Sequence, residues 1–65
     1  MKLYNNLKEH RANLGLNQAE LGKLVGVSRQ TISQIERGDD APSVAIALKL
    51  AQVCHVRVEE IFEIK

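Results

Sequence analysis

With a single cysteine, Cys54, the chain can form no internal disulfide and no multi-cysteine zinc site. One thiol fits a reducing compartment, and a cytoplasmic location is expected. No apolar run approaches the roughly 18–20 residues that cross a bilayer, and Met1-Lys2-Leu3-Tyr4-Asn5-Asn6 lacks the apolar core of a signal peptide. Neither membrane insertion nor secretion is expected. Glycine is scarce, with 4 in the chain and no glycine-rich phosphate loop. No nucleophile has a plausible base, and the chain is too short to build a deep pocket, so an enzyme is not expected. His10 and His55 form no ligand set of three or four, which argues against metal, and no cofactor or small-molecule ligand is indicated. Large net charge is missing too: a formal +1 excludes a generically basic coat for nucleic acid.

What is present is a hydrophobic fraction of 45% in 65 residues, enough for one globular domain spanning 1–65 and too little chain for a second. A domain of this size buries roughly 60% of its unfolded surface, so oligomerisation is an expected further source of stability. The small net charge hides a split. Residues 1–37 carry six lysines and arginines against three glutamates, for +3, and residues 38–65 carry three against five acids, for −2. The first half is therefore suited to a polyanion and the second to another surface, such as a second copy of the chain.

Punctuation divides the chain into helices. Leu3, Leu7 and Leu14 share a helical face and Gly15 follows, which predicts a first helix over Asn5–Leu14. Asn17-Gln18-Ala19-Glu20 reads as an N-cap with a glutamate that reaches back, so a second helix begins at Gln18 and ends at Gly26. Ser28 is the next N-cap, for a helix over Arg29–Arg37 closed by Gly38. Asp39-Asp40-Ala41-Pro42 is loop. Ser43 caps a fourth, core helix carrying Ile46, Ala47, Leu48, Leu50, Ala51, Val53 and Cys54, where Cys54 is a packing residue. A short fifth helix is expected near Val58–Phe62, and Phe62-Glu63-Ile64 is a candidate strand beside Lys2-Leu3-Tyr4.

The helices joined through Gly26-Val27-Ser28 form a helix-turn-helix over residues 18–37, with Leu21, Val25, Val27, Ile32 and Ile35 welding the pair. Gly22 fits the scheme if the third helix crosses close to it. Taking Arg29 as zero on a helical wheel, Ser33, Arg37, Gln30 and Gln34 fall at about 40°, 80°, 100° and 140°, away from Ile32 and Ile35. That strip suits the major groove, where arginine pairs bidentately with guanine and glutamine with adenine, while the short Ser33 permits close approach.

Leu14-Gly15-Leu16-Asn17-Gln18-Ala19-Glu20-Leu21, Val25 to Gly38, Pro42-Ser43 and Val56-Arg57-Val58-Glu59-Glu60-Ile61-Phe62 closely resemble the Cro and lambdoid-repressor helix-turn-helix family. The resemblance implies an all-α, five-helix, lambda-repressor-like DNA-binding domain, here with room for a short terminal strand pair. It implies base reading by Arg29, Gln30, Ser33 and Gln34, and phosphate contacts from Arg11, Asn17, Gln18, Ser28 and Arg37. Arg11 is further implied to pair with Glu36, which sits at about 340° on the wheel, between reading strip and core. Asp39-Asp40 depart from the family, where basic or aromatic residues are common, and repel phosphate unless turned away. His55 stands where glycine is frequent, and Arg57 where a Ser or Thr cap is usual.

The function so implied is a sequence-specific transcriptional regulator of double-stranded DNA, a homodimeric repressor on an inverted repeat, with Tyr4, Ile61, Phe62 and Ile64 as candidate dimer surface. The alternative is a protein-interaction module or antitoxin-like subunit on the same fold. The exposed arc of Arg29, Gln30 and Gln34 separates the two, because an interaction module has no need of it.

Overall fold

The computed structural model describes residues 1–65. A short strand, β1 (Leu3–Asn5), leads into helices α1 (Leu7–Asn13), α2 (Gln18–Val25), α3 (Arg29–Arg37) and α4 (Val44–Cys54). A single 3-10 turn (Val58–Glu60) and strand β2 (Phe62–Ile64) close the chain. The two strands pair antiparallel, with Leu3 opposite Ile64, Tyr4 opposite Glu63 and Asn5 opposite Phe62.

The middle of the fold follows its capping chemistry. The Asn17 side chain accepts from the Glu20 N–H at 2.8 Å while the Glu20 carboxylate accepts from the Asn17 N–H at 2.8 Å. Two otherwise orphaned donors at the start of α2 are thereby satisfied. Ser28 and Ser43 accept from the N–H groups of Thr31 and Ile46, at 3.1 and 3.2 Å, to start α3 and α4. Gly26 ends α2 in the left-handed conformation at φ 84°. His55 does the same for α4 at φ 58°, the chain's one non-glycine residue with positive φ.

Leu7, Leu21, Val25, Ile32, Ile35, Leu50, Ala51, Cys54 and Ile61 form the core, one or more from every helix. Burial of each large side chain contributes about 1.5–3 kcal/mol against the entropy of ordering a small chain. Gly22 belongs to this close packing. A Cβ built there would lie 2.6 Å from the Val27 carbonyl oxygen, so it is the backbone of the turn, rather than α3 itself, that excludes a side chain.

Four expectations need correction. The first helix starts at Leu7 and not at Asn5, because Asn5 pairs with Phe62 in the ribbon and its side-chain oxygen accepts from the Leu7 N–H at 3.0 Å. Leu3 therefore lies in a strand, and Leu14 is 38% exposed rather than in the core. The fifth helix is one 3-10 turn: Glu60 accepts from the Arg57 N–H at 2.7 Å, but the Arg57 side chain supplies no cap, and the chain turns into β2 after Ile61. On α4, Leu48 is exposed rather than in the core. Ile61, expected at a dimer surface, is 2% exposed within the chain's own core and has no area left to offer a partner.

Candidate nucleic-acid interface

α3 has two faces. Ile32 and Ile35 are 0% and 1% exposed against the core. Arg29, Gln30 and Arg37 are exposed and Ser33 and Gln34 half-buried on the other side, as the wheel predicts. The helix is amphipathic in the sense that fixes its rotation: two isoleucines anchored in the core leave no freedom to turn the polar strip away from solvent.

Its position is fixed by a polar network. Arg11, on α1, grips the Glu36 carboxylate of α3 with Nε at 2.6 Å and Nη2 at 3.2 Å, and donates Nη1 to the Leu16 carbonyl at 3.0 Å. Gln18, opening α2, donates to the same carboxylate at 3.0 Å. Glu36 thus joins three helices through their side chains, with only 5% of its own side chain exposed and 14% of Arg11's. Burial works against the charge on Glu36, but the hydrogen bonds from Arg11 and Gln18, with the nearby charges of Arg11 and Lys8, outweigh it and hold the carboxyl below its ordinary range. The hydrogen bond to Glu36 in turn raises Arg11 against its own desolvation.

The expected phosphate-contact residues are in part committed inside the chain. Arg11 and Gln18 each spend donors on Glu36, Asn17 is engaged in its capping box, and Ser28 caps α3 with its hydroxyl 3.0 Å from that of Thr31. Arg37 donates Nε to Asp39 at 2.9 Å and Nη1 to the Ser33 hydroxyl at 3.0 Å, with 59% of its side chain exposed. Asp39 is therefore turned onto Arg37. Arg29 takes part in none of the three ion pairs, which are Arg11–Glu36, Arg37–Asp39 and Lys65–Glu63.

The structure brings Arg29, Gln30, Ser33, Gln34 and Arg37 onto one face, with Gln18 and Arg11 beside it. It separates the candidate dimer residues. Side chains alternate across a ribbon, so Leu3, Asn5, Phe62 and Ile64 share one face, while Tyr4 lies on the other with Glu63. One residue that positions α3 had no clear mark in the sequence. Asn5 donates its side-chain amide to the Ile35 carbonyl at 2.8 Å, tying β1 to the last turn of α3. An Asn two residues before a helix is a signal for local capping, but it gives no hint of an acceptor thirty residues away.

The model of the helix-turn-helix family matches residues 7–61. The helix-turn-helix-type transcriptional regulator YgzD of Bacillus subtilis is 45% identical over 58 residues, covering 89% of this chain and 88% of that one. Among solved structures, the P22 c2 repressor in complex with a synthetic operator superimposes with TM-score 0.79 at 36% identity, over 82% of this chain and 80% of that one. The restriction-modification controller protein C.AhdI of Aeromonas hydrophila gives TM-score 0.77 at 35% identity, over 83% and 82% of the two chains.

Proposed function

The chain belongs to the helix-turn-helix family of DNA-binding transcriptional regulators, and from that premise we propose that it is a repressor that holds an inverted repeat as a two-fold homodimer. In this reading α3 enters the major groove. Arg29, Gln30, Ser33 and Gln34 read base edges, while Gln18, Asn17, Ser28, Arg11, Arg37 and the N-terminal backbone amides of α2 hold phosphates. The observation that carries it is the division of α3: core-anchored isoleucines on one side and an outward strip of amide and guanidinium groups on the other.

The Arg11–Glu36–Gln18 network supplies preorganisation. It fixes the approach of α3 against α1 and α2, so the energy of binding is not spent on ordering the reader. The dimer surface in this reading is the exposed Leu3 and Ile64 pair of the ribbon, backed by Phe62, which packs half-buried against the core, since Tyr4 points the other way and Ile61 is internal. Each body measures 30 × 22 × 20 Å, so two in contact can present their α3 helices to successive major grooves about 34 Å apart. Selection of bound duplexes from a random pool tests the proposal. An inverted repeat with half-site centres one helical turn apart is expected. A chain that retains no duplex even at low salt refutes it and favours the interaction-module alternative.

A further inference from the structure

We propose that the Lys2–Lys65 end of the β-ribbon is a second phosphate-contacting surface, extending the DNA interface past the C-terminal end of α3. Lys2 and Lys65 form mutual backbone hydrogen bonds of 2.9 and 3.0 Å, one step beyond the Leu3–Ile64 pair, so they sit directly opposite on the ribbon. Both side chains fall on the Tyr4 face, and their ammonium groups lie 5.4 and 5.2 Å from the centre of the Tyr4 ring. Like charges directly opposite destabilise a ribbon. The aromatic ring offsets part of that cost, and the Lys65–Glu63 contact at 3.5 Å, between side chains well over half exposed, offsets little. Two strands of three residues thus hold together a cation pair that the fold does not need, which points to an anion outside the chain.

Location selects the anion. Lys2 and Tyr4 border a shallow groove of about 370 Å³ whose opposite side is the end of α3, including Glu36, Arg37 and Asp39. Glu36 is already held by Arg11 and Gln18, and Asp39 by Arg37, so neither carboxylate is free to satisfy Lys2. Lys65, opposite Lys2 on the ribbon, borders the neighbouring groove with Glu59, Glu60 and Glu63, while Lys2 flanks the reading helix on the side away from its N-terminus. There a duplex seated on α3 would bring its phosphates, and lysine ammonium and tyrosine hydroxyl groups are suitable donors. Because these groups touch phosphate alone, they add affinity for any sequence.

This inference rests on the proposed DNA-binding function, and its test keeps the two apart. Labelled duplexes, one carrying the pool-selected site and one unrelated in sequence, are titrated across salt concentrations with the wild-type chain, Lys2→Gln/Lys65→Gln and Lys2→Arg/Lys65→Arg. The glutamine variant is expected to bind both duplexes more weakly by a similar factor, about threefold or more. The slope of log affinity against log salt should fall by roughly 1 for each phosphate no longer neutralised. Its thermal midpoint should stay level or rise, because the repulsion is gone, and the arginine variant should bind like wild type. Unchanged affinity and slope in the glutamine variant would overturn the inference alone. A wild-type chain that binds neither duplex would overturn the function on which it rests.

Discussion

Arg11→Ala is the sharpest test of the network beneath the reading helix. The substitution removes both Arg11 hydrogen bonds to Glu36 and the one to the Leu16 carbonyl, leaving a nearly buried carboxylate with Gln18 as its remaining partner. Breaking a buried pair from one side costs about 3–5 kcal/mol. An escape route sets the ceiling. At pH 7 an ordinary glutamate lies about 2.7 units above its pKa, so neutralising Glu36 by protonation costs about 3.7 kcal/mol. The retained Gln18 contact lowers the loss further, and about 2–3 kcal/mol is expected. A domain of this size has about 3–10 kcal/mol in total. The thermal midpoint, followed by circular dichroism, should therefore fall by about 10 °C or more. The pH dependence carries the sign. Because the folded pKa of Glu36 is lowered, the pair's contribution is complete above the ordinary glutamate range and is lost as pH falls through the lower, folded value. Wild type should thus lose its advantage over the variant on acidification below about pH 4. Arg11→Met/Glu36→Leu, which removes both charges, should recover much of the loss at pH 7. An unchanged midpoint in Arg11→Ala, or a double variant as unstable as the single one, would refute the reasoning.

Gly22→Ala should lower stability by about 1–3 kcal/mol in denaturant titration, because the new methyl meets the Val27 carbonyl oxygen and the turn must open. His55→Gly should raise stability by up to about 1 kcal/mol in the same assay by relieving a side chain from the left-handed region. Gln30→Ala or Gln34→Ala should cost about 1–3 kcal/mol of binding on the selected site and relax preference at one base pair, read by competition among single-base variants. Ile64→Glu should give a monomer by sedimentation, with helicity retained and affinity for the two-half site much reduced.

Caps were the most legible part of the fold. The limits of α2, α3 and α4 follow from Asn17, Ser28, Ser43, Gly26 and Gly38, whose chemistry acts within a few residues. Leu7 and Ile61 show what local patterns miss. A helical face through Leu3 and Leu7 is a fair pattern, yet Asn5 is extended because its partner Phe62 lies at the opposite end of the sequence. Ile61 has the character of surface beside Phe62, but the 3-10 turn directs it into the core. The reading strip of α3 was legible because helical period alone separates it from Ile32 and Ile35. The partners of Arg37 and Lys2 were not, since loop and ribbon positions have no period to extrapolate.

Under the proposed function, anchor and address are carried by different residues of one nine-residue helix. Ile32, Ile35 and Glu36 belong to the body of the fold, whereas Arg29 and Gln30 are exposed and Gln34 lies half-buried at its edge. A lineage can therefore rewrite its target by exchanging three or four side chains, without the compensating changes that core substitutions demand. The same division offers an engineer positions to randomise and positions to leave alone. Ser33 is the exception, because its hydroxyl accepts from Arg37, so those two sites should vary together.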